Sequence, residues 1–293
     1  MNQPYLFDEA TMSEITVGKS KVVNVASVPQ RSPFRYPGGK TWLVPTARKW
    51  FAQFEADNIL IEPFCGGGII SLTAVFENYV NQSVMIELDS DVASVWQTIL
   101  SEDYQWLCEQ ILNFDMNSQN LIAAIAKATE GKKEQAFATI LRNRTLHGGI
   151  LAQGSGMVKN GEDGKGLKSR WYPETLVFRI KNIHQFHDRI KFIQGDGFYS
   201  IRQNKDHTNA CFFIDPPYTI AGKRLYNHYE IDHEQLFQYV SDIKGHFLMS
   251  YDDTEEVRNL ADKYDLPWIT IPMQTTHLIT KEEILISDNL NWL

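Results

Sequence analysis

Ile59-Leu60-Ile61-Glu62-Pro63-Phe64-Cys65-Gly66-Gly67-Gly68 decides the fold class of this 293-residue chain. Ile59, Leu60 and Ile61 form a short apolar run of the kind that makes a strand buried on both faces. A proline and three glycines end it, and a helix pattern follows. Glycines at the carboxyl end of a strand let the backbone approach a ligand closely. The same turn also serves as a plain strand-to-helix connection, so it points to a fold before it points to a ligand. The spacing is not GxGxxG, which disfavours a nicotinamide dehydrogenase.

Working outward, six more short apolar runs appear: Val84–Ile86, Phe192-Ile193, Phe212–Ile214, Phe247–Met249, Ile269–Ile271 and Ile284–Ile286. Helix-like stretches lie between several of them. Asp91–Leu100 places Val92, Val95, Trp96 and Ile99 on one face. Asp232–Lys244 starts with a good N-cap and repeats apolar residues at Leu236, Phe237, Val240 and Ile243. Strands alternating with helices imply an α/β fold with a doubly wound, mainly parallel seven-stranded sheet.

The alternation breaks between residues 105 and 189. Helical patterns at Trp106–Phe114, Leu121–Ala128 and Gln135–Leu141 precede a polar, glycine-rich loop, Gly148–Lys168, and a further helix near Pro173–Phe186. A loop that long in a compact domain is usually functional or disordered. The expected organisation is a polar extension over 1–30, a catalytic domain over 31–104 and 190–293, and an inserted helical module over 105–189. No repeat or low-complexity tract is present.

The net charge of −8 argues against a generic nucleic-acid binder, but the charge is unevenly spread. Arg142 to Lys191 holds ten basic and four acidic residues, which leaves −14 on the rest. A basic segment inside an acidic chain suits an element facing a polyphosphate, or a solvated face that balances its neighbours. No apolar run approaches the ~20 residues that cross a bilayer, and no secretory leader is visible. Cys65, Cys108 and Cys211 are scattered and odd in number, so neither a disulfide framework nor a zinc site is expected, and a reducing cytoplasm fits. His184 and His187 have helical spacing but no evident third metal ligand.

Three segments carry chemistry. The strand at Val84–Ile86 runs into Glu87-Leu88-Asp89, placing a carboxylate where ribose hydroxyls are bonded in such folds. Arg35-Tyr36-Pro37-Gly38-Gly39-Lys40-Thr41 ends like a phosphate-binding loop, but Phe34 occupies the glycine position that such a loop needs and no strand leads into it. Tyr36 and Lys40 suit an anionic, aromatic ligand instead. The strongest segment is Phe212-Phe213-Ile214-Asp215-Pro216-Pro217-Tyr218. An aromatic amine is a poor nucleophile because its lone pair is delocalised into the ring. Asp215 can accept one of its N–H bonds and the carbonyl of Pro216, in the stiff turn made with Pro217, can accept the other. Tyr218 can stack on a base that has left its duplex.

Together RYPGGK, EPFCGGG, ELD and DPPY resemble, in the family's own order, the Dam-like (D12 class) N6-adenine DNA methyltransferases, over roughly residues 31 to 290. The resemblance implies the S-adenosylmethionine-dependent methyltransferase fold and transfer of a methyl group to the amine of a flipped-out adenine in double-stranded DNA. By that resemblance Tyr36 and Lys40 lie near the methionine part of the cofactor, and Phe64, Gly66 and Gly68 line its pocket. Glu87 holds the ribose, and Asp215 borders cofactor and base. Asp196, in Gly195-Asp196-Gly197, resembles the acid near the cofactor adenine, and reads equally as a turn aspartate. The insertion corresponds to the target-recognition region, with Arg142, Asn143 and Arg144 resembling its start. Its Gly148–Gly156 segment departs from the Asn-Val-Pro-Phe-Gly pattern of GATC-specific members, so GATC recognition is not implied. Lys159, Lys165, Lys168 and Arg170 are expected at phosphates. Lys281–Ile286 resembles the family's last strand. Metal and membrane have no place in this reading. A separate restriction endonuclease is compatible with it, as is a bacterial or phage enzyme working on the nucleoid. Cytosine-N4 methylation and an inactive DNA-binding regulator of the same fold stay open as alternatives.

Overall fold

The computed structural model describes residues 27–36, 38–55, 58–152, 154–159, 161, 164–218, 227–228, 230–274 and 280–293. Most of the expected N-terminal extension, with Pro37, Gln153, Glu162 and Asp163, lies outside the described residues.

Every apolar run read as a strand lies in one: β1 (Ile59–Glu62), β2 (Gln82–Glu87), β3 (Ile190–Gln194), β4 (Ala210–Ile214), β5 (His246–Asp252), β6 (Trp268–Gln274) and β7 (Thr280–Ser287). They form one sheet of order β3-β2-β1-β4-β5-β7-β6. β1 to β5 run parallel, and β7 is antiparallel to both β5 and β6. Parallel neighbours require crossovers, and these place helices on both faces. All five residues of β4 are therefore buried. Alternate side chains divide between two cores: Cys211 and Phe213 pack on one face, Phe212 and Ile214 on the other.

The helices are α1 (Val44–Phe51), α2 (Ile69–Phe76), α3 (Ser90–Ile99), α4 (Tyr104–Asn113), α5 (Ser118–Ala126), α6 (Lys132–Thr145), α7 (Pro173–His184), α8 (Gly197–Asn204), α9 (His233–Ser241) and α10 (Glu255–Lys263). The Asp89 side chain caps α3 by accepting from the Asp91 and Val92 amides. Val92, Val95, Trp96 and Ile99 are all buried, as their spacing requires.

The crossover from β2 to β3 carries α3 to α7, so the interruption seen in the sequence is an enlarged crossover. Leu107, Ile111, Ile140, Leu141, Ile180 and Ile183 from this segment share one apolar cluster with Phe213 and Leu248 of the sheet. α6 runs beyond the expected Gln135–Leu141, and Arg142-Asn143-Arg144 form its last turn. The glycine-rich stretch that follows contains short 3₁₀ turns at His147–Gly149 and Gly166–Arg170 and a bridge from Leu146 to Met157.

Candidate active site

The carboxyl ends of β1, β2 and β4 deliver the glycine turn, Glu87 and Asp215 to one edge of the sheet, where ligands bind in such folds. Gly66 has φ +43° and Gly68 φ +62°, which only glycine adopts easily. The close neighbours of this turn are protein groups. A Cβ on Gly66 would stand 2.5 Å from the Tyr36 ring, and one on Gly68 2.5 Å from Met85 Cε. The turn is tied by Trp96 Nε1 donating to the Gly66 carbonyl at 2.9 Å and by the Gly66 amide donating to Glu87 at 3.0 Å. The other Glu87 oxygen accepts from the Asp89 amide at 2.9 Å. Burial pushes the Glu87 carboxyl up to about 7. Glu62, buried at the end of β1, accepts from the Ser71 amide at 3.1 Å and is pushed up to about 8 by its removal from water.

Asp215 stands at the end of β4, where Lys40 Nζ and Ser250 Oγ both engage its Oδ1, at 2.8 and 3.0 Å. Lys40 is 4 % exposed, in the 3₁₀ turn that leads into α1, and its Nζ also donates to the Gly38 carbonyl at 3.0 Å. Burial alone would lower the Lys40 ammonium, but Asp215 and Glu283 hold it above its ordinary value. Burial raises the Asp215 carboxyl, against the pull of Lys40 and hydrogen bonds from Ser250 and Tyr218. The Tyr218 hydroxyl donates to Glu283 Oε2 at 2.9 Å, and Lys40 Nζ lies 4.9 Å from the centre of the Tyr218 ring. Sequence reading placed Lys40 beside a cofactor; the structure pairs it with Asp215. Ser250 and Glu283 were missed as functional groups, because no local motif marks a lone serine or a glutamate in a strand.

Lys40, Glu62, Glu87, Asp215 and Glu283 line a cleft of about 1720 Å³ that also takes in Tyr36, Phe64, Asp196 and Phe198. Phe64 and Phe198 meet edge to face at 6.1 Å, and the exposed Asp196 caps α8 by accepting from the Phe198 amide at 2.8 Å. A carboxylate at the end of β2, an aromatic pair and a buried acidic centre together suit a nucleoside whose far end carries a cationic sulfur. Among the described residues no group of three or more His, Cys, Asp or Glu side chains is placed to hold a metal. His184 bonds the Ile99 carbonyl at 2.9 Å and stacks between Tyr104 and His187.

The residues expected to meet DNA separate into three groups. Arg142 reaches Asp91 on α3 at 2.5 Å and the Leu151 carbonyl at 3.0 Å. Asn143, 1 % exposed, accepts from the Arg35 amide at 2.9 Å and donates to the carbonyls of Arg35 and Gly149 at 3.0 and 2.9 Å. Both tie the fold together instead of facing outward, because the last turn of α6 is packed. Arg144 and Arg170 line the cleft, joined there by Arg35 and Arg179, which the sequence did not single out. Arg144 donates to the Pro33 carbonyl at 2.6 Å, and burial, with Arg179 and Arg35 nearby, pushes its guanidinium down to about 9. Lys159, Lys165 and Lys168 are exposed and stand away from the cleft lining, Lys168 lying 3.4 Å from Asp115.

The sequence profile of the D12 class N6 adenine-specific DNA methyltransferases matches residues 36–273. No curated protein matches this chain. Among solved structures, an S-adenosylmethionine-dependent methyltransferase from Agrobacterium tumefaciens is similar at 9% identity and a TM-score of 0.38, over 85% of this chain and 60% of that one. An rRNA methyltransferase from Streptomyces viridochromogenes is similar at 10% identity and a TM-score of 0.35, over 86% of each chain. Likeness that remote says nothing of substrate; the profile does, for it spans the glycine turn, Glu87 and the Asp215–Tyr218 segment. The chain belongs to the D12 class N6 adenine-specific DNA methyltransferases and is an enzyme that uses S-adenosylmethionine.

Proposed function

We propose that this enzyme binds an adenine swung out of double-stranded DNA and holds its amine between Asp215 and the Pro216 carbonyl. The observation that carries this reading is the fixing of Asp215 Oδ1 by Lys40 and Ser250 at the end of β4. Oδ2 is then the acceptor assigned to one N–H of the amine, and the Pro216 carbonyl to the other. Two acceptors in place before the base arrives localise the nitrogen lone pair without reorganisation at the moment of transfer. S-adenosylmethionine supplies, when bound, an electrophilic methyl group on a cationic sulfur. Glu87 is assigned the ribose hydroxyls, and Phe64 and Phe198 with Asp196 the purine. Tyr36, Gly66 and Gly68 shape the pocket between, Pro217 stiffens the turn, and Tyr218 is the aromatic wall for the base.

For DNA, the arginines on the cleft, Arg35, Arg144, Arg170 and Arg179, are assigned to phosphates beside the displaced base. Lys159, Lys165 and Lys168 are assigned longer-range attraction. Such an enzyme works on the DNA of a bacterium or phage, in the cytoplasm and with or without a separate endonuclease.

The test uses labelled cofactor and duplex DNA. Asp215→Ala is expected to lower methyl transfer by at least about 10³-fold, as for loss of a preorganised polar group, while S-adenosylhomocysteine still binds by calorimetry. Lys40 keeps the Gly38 carbonyl and Glu283 beside it in that variant. Transfer at the wild-type rate sinks the assignment. Label accepted by a duplex lacking adenine would move the reading to cytosine-N4. DNA binding by the wild type without any transfer would make the chain an inactive regulator.

A further inference from the structure

Glu283 lies beyond the residues that the family profile matches, yet it is built into the centre. It is 6 % exposed on β7, and its Oε2 accepts the Tyr218 hydroxyl at 2.9 Å. The antiparallel pairing of β5 with β7 sets it opposite Asp252, two residues from Ser250. One strand pair thus grips both ends of the catalytic segment: Ser250 holds Asp215, and Glu283 holds Tyr218.

A neutral amide oxygen would also accept the tyrosine hydroxyl, less strongly than a carboxylate but without the cost of burying a charge. The charge count gives the reason for an acid. Among the described residues, one buried ammonium, Lys40, stands against Asp215 and Glu283. Glu62, pushed up to about 8, holds its proton at neutral pH, whereas Glu87, pushed up to about 7, is partly ionised there and adds to the negative side. Burial raises the Glu283 carboxyl as well, against the pull of Lys40 and the hydrogen bond from Tyr218. Lys281, two residues earlier on the same strand, also lines the cleft but is exposed and screened by solvent. With Asp215 and Glu283 both ionised, the centre carries one carboxylate more than its ammonium neutralises, and Asp252 across the strand pair adds to it. A cation that enters the cleft relieves that surplus.

We infer that Glu283 is a positioning residue whose carboxylate both orients Tyr218 and supplies the surplus negative charge that favours a cationic methyl donor over its neutral product. The inference rests on the reading of the cleft as the cofactor and base site. It also gives direction to turnover: once the methyl group has left, the sulfur is neutral and the attraction that held the donor is gone.

Calorimetry with two analogues tests this. Sinefungin carries an ammonium group where the donor carries its methyl sulfonium, whereas S-adenosylhomocysteine is neutral there. In the wild type sinefungin should bind more tightly. Glu283→Gln should lower that preference by about tenfold, the effect of one partly screened charge a few ångströms away, while the affinity for S-adenosylhomocysteine changes less than about twofold. Glu283→Asp should keep the preference although its shorter reach breaks the bond to Tyr218. Tyr218→Phe should keep it too. An unchanged preference in Glu283→Gln, or equal loss of both ligands, overturns the inference and leaves the proposed function standing. A wild type that binds neither analogue refutes the cofactor placement and this inference with it.

Discussion

Glu62 shows at the residue scale how burial changes a side chain whose motif is plain in the sequence. Its carboxyl ordinarily titrates near 4.5 and is pushed up to about 8 in the fold. Between those values the folded chain keeps a proton that the unfolded chain has released, so this group takes stability away as pH rises through that window. Glu62→Gln keeps an acceptor for the Ser71 amide and has no proton to lose. Urea unfolding at about pH 5 and about pH 8 should show the variant gaining on the wild type at the higher pH; parallel behaviour would refute the buried, protonated state. Asp215 and Glu87 were legible as cleft residues because each ends an apolar strand run, at the edge of the sheet where ligands bind in such folds. Asn143 was not, since an Arg-Asn-Arg triplet reads the same whether its asparagine meets a base or, as here, clasps the Arg35 and Gly149 backbone.

At the scale of elements, the seven strands were legible because short β-branched runs between Gly, Pro and Asp suit few other structures. Their order was not. β5 lies beside β4 and β7, so Ser250 can reach Asp215, 35 positions away along the chain. Ser250→Ala leaves Lys40 on the same oxygen but removes one of two fixing contacts. Its kcat should fall roughly tenfold, the worth of one hydrogen bond to a charged group, with KM for DNA and the affinity for S-adenosylhomocysteine little changed. A loss confined to KM would show that Ser250 acts on binding and not on the carboxylate. α6 shows the reverse case. The sequence ended it at Leu141, but the Arg142 bond to Asp91 and the Asn143 clasp extend it to Thr145.

For the molecule as a whole, the helical segment between β2 and β3 shares its core with the sheet, which holds the arginines assigned to DNA in fixed relation to Asp215. Arg179→Ala should weaken duplex binding and lower the slope of log affinity against log salt by about one, as for one lost phosphate contact. Arg142→Ala, which breaks the tie between α3 and α6, should leave that slope alone. Equal slopes in the two variants would place the phosphates elsewhere. The sequence by itself determined what is local: the strand runs, the glycine turn, the Asp-Pro-Pro-Tyr segment and the residue types that amine methylation needs. Only the tertiary structure decided which charges meet. Lys40, the Asp215–Tyr218 segment, Ser250 and Glu283 come from separate parts of the chain, and sheet order and burial, which no local pattern encodes, bring them into one centre.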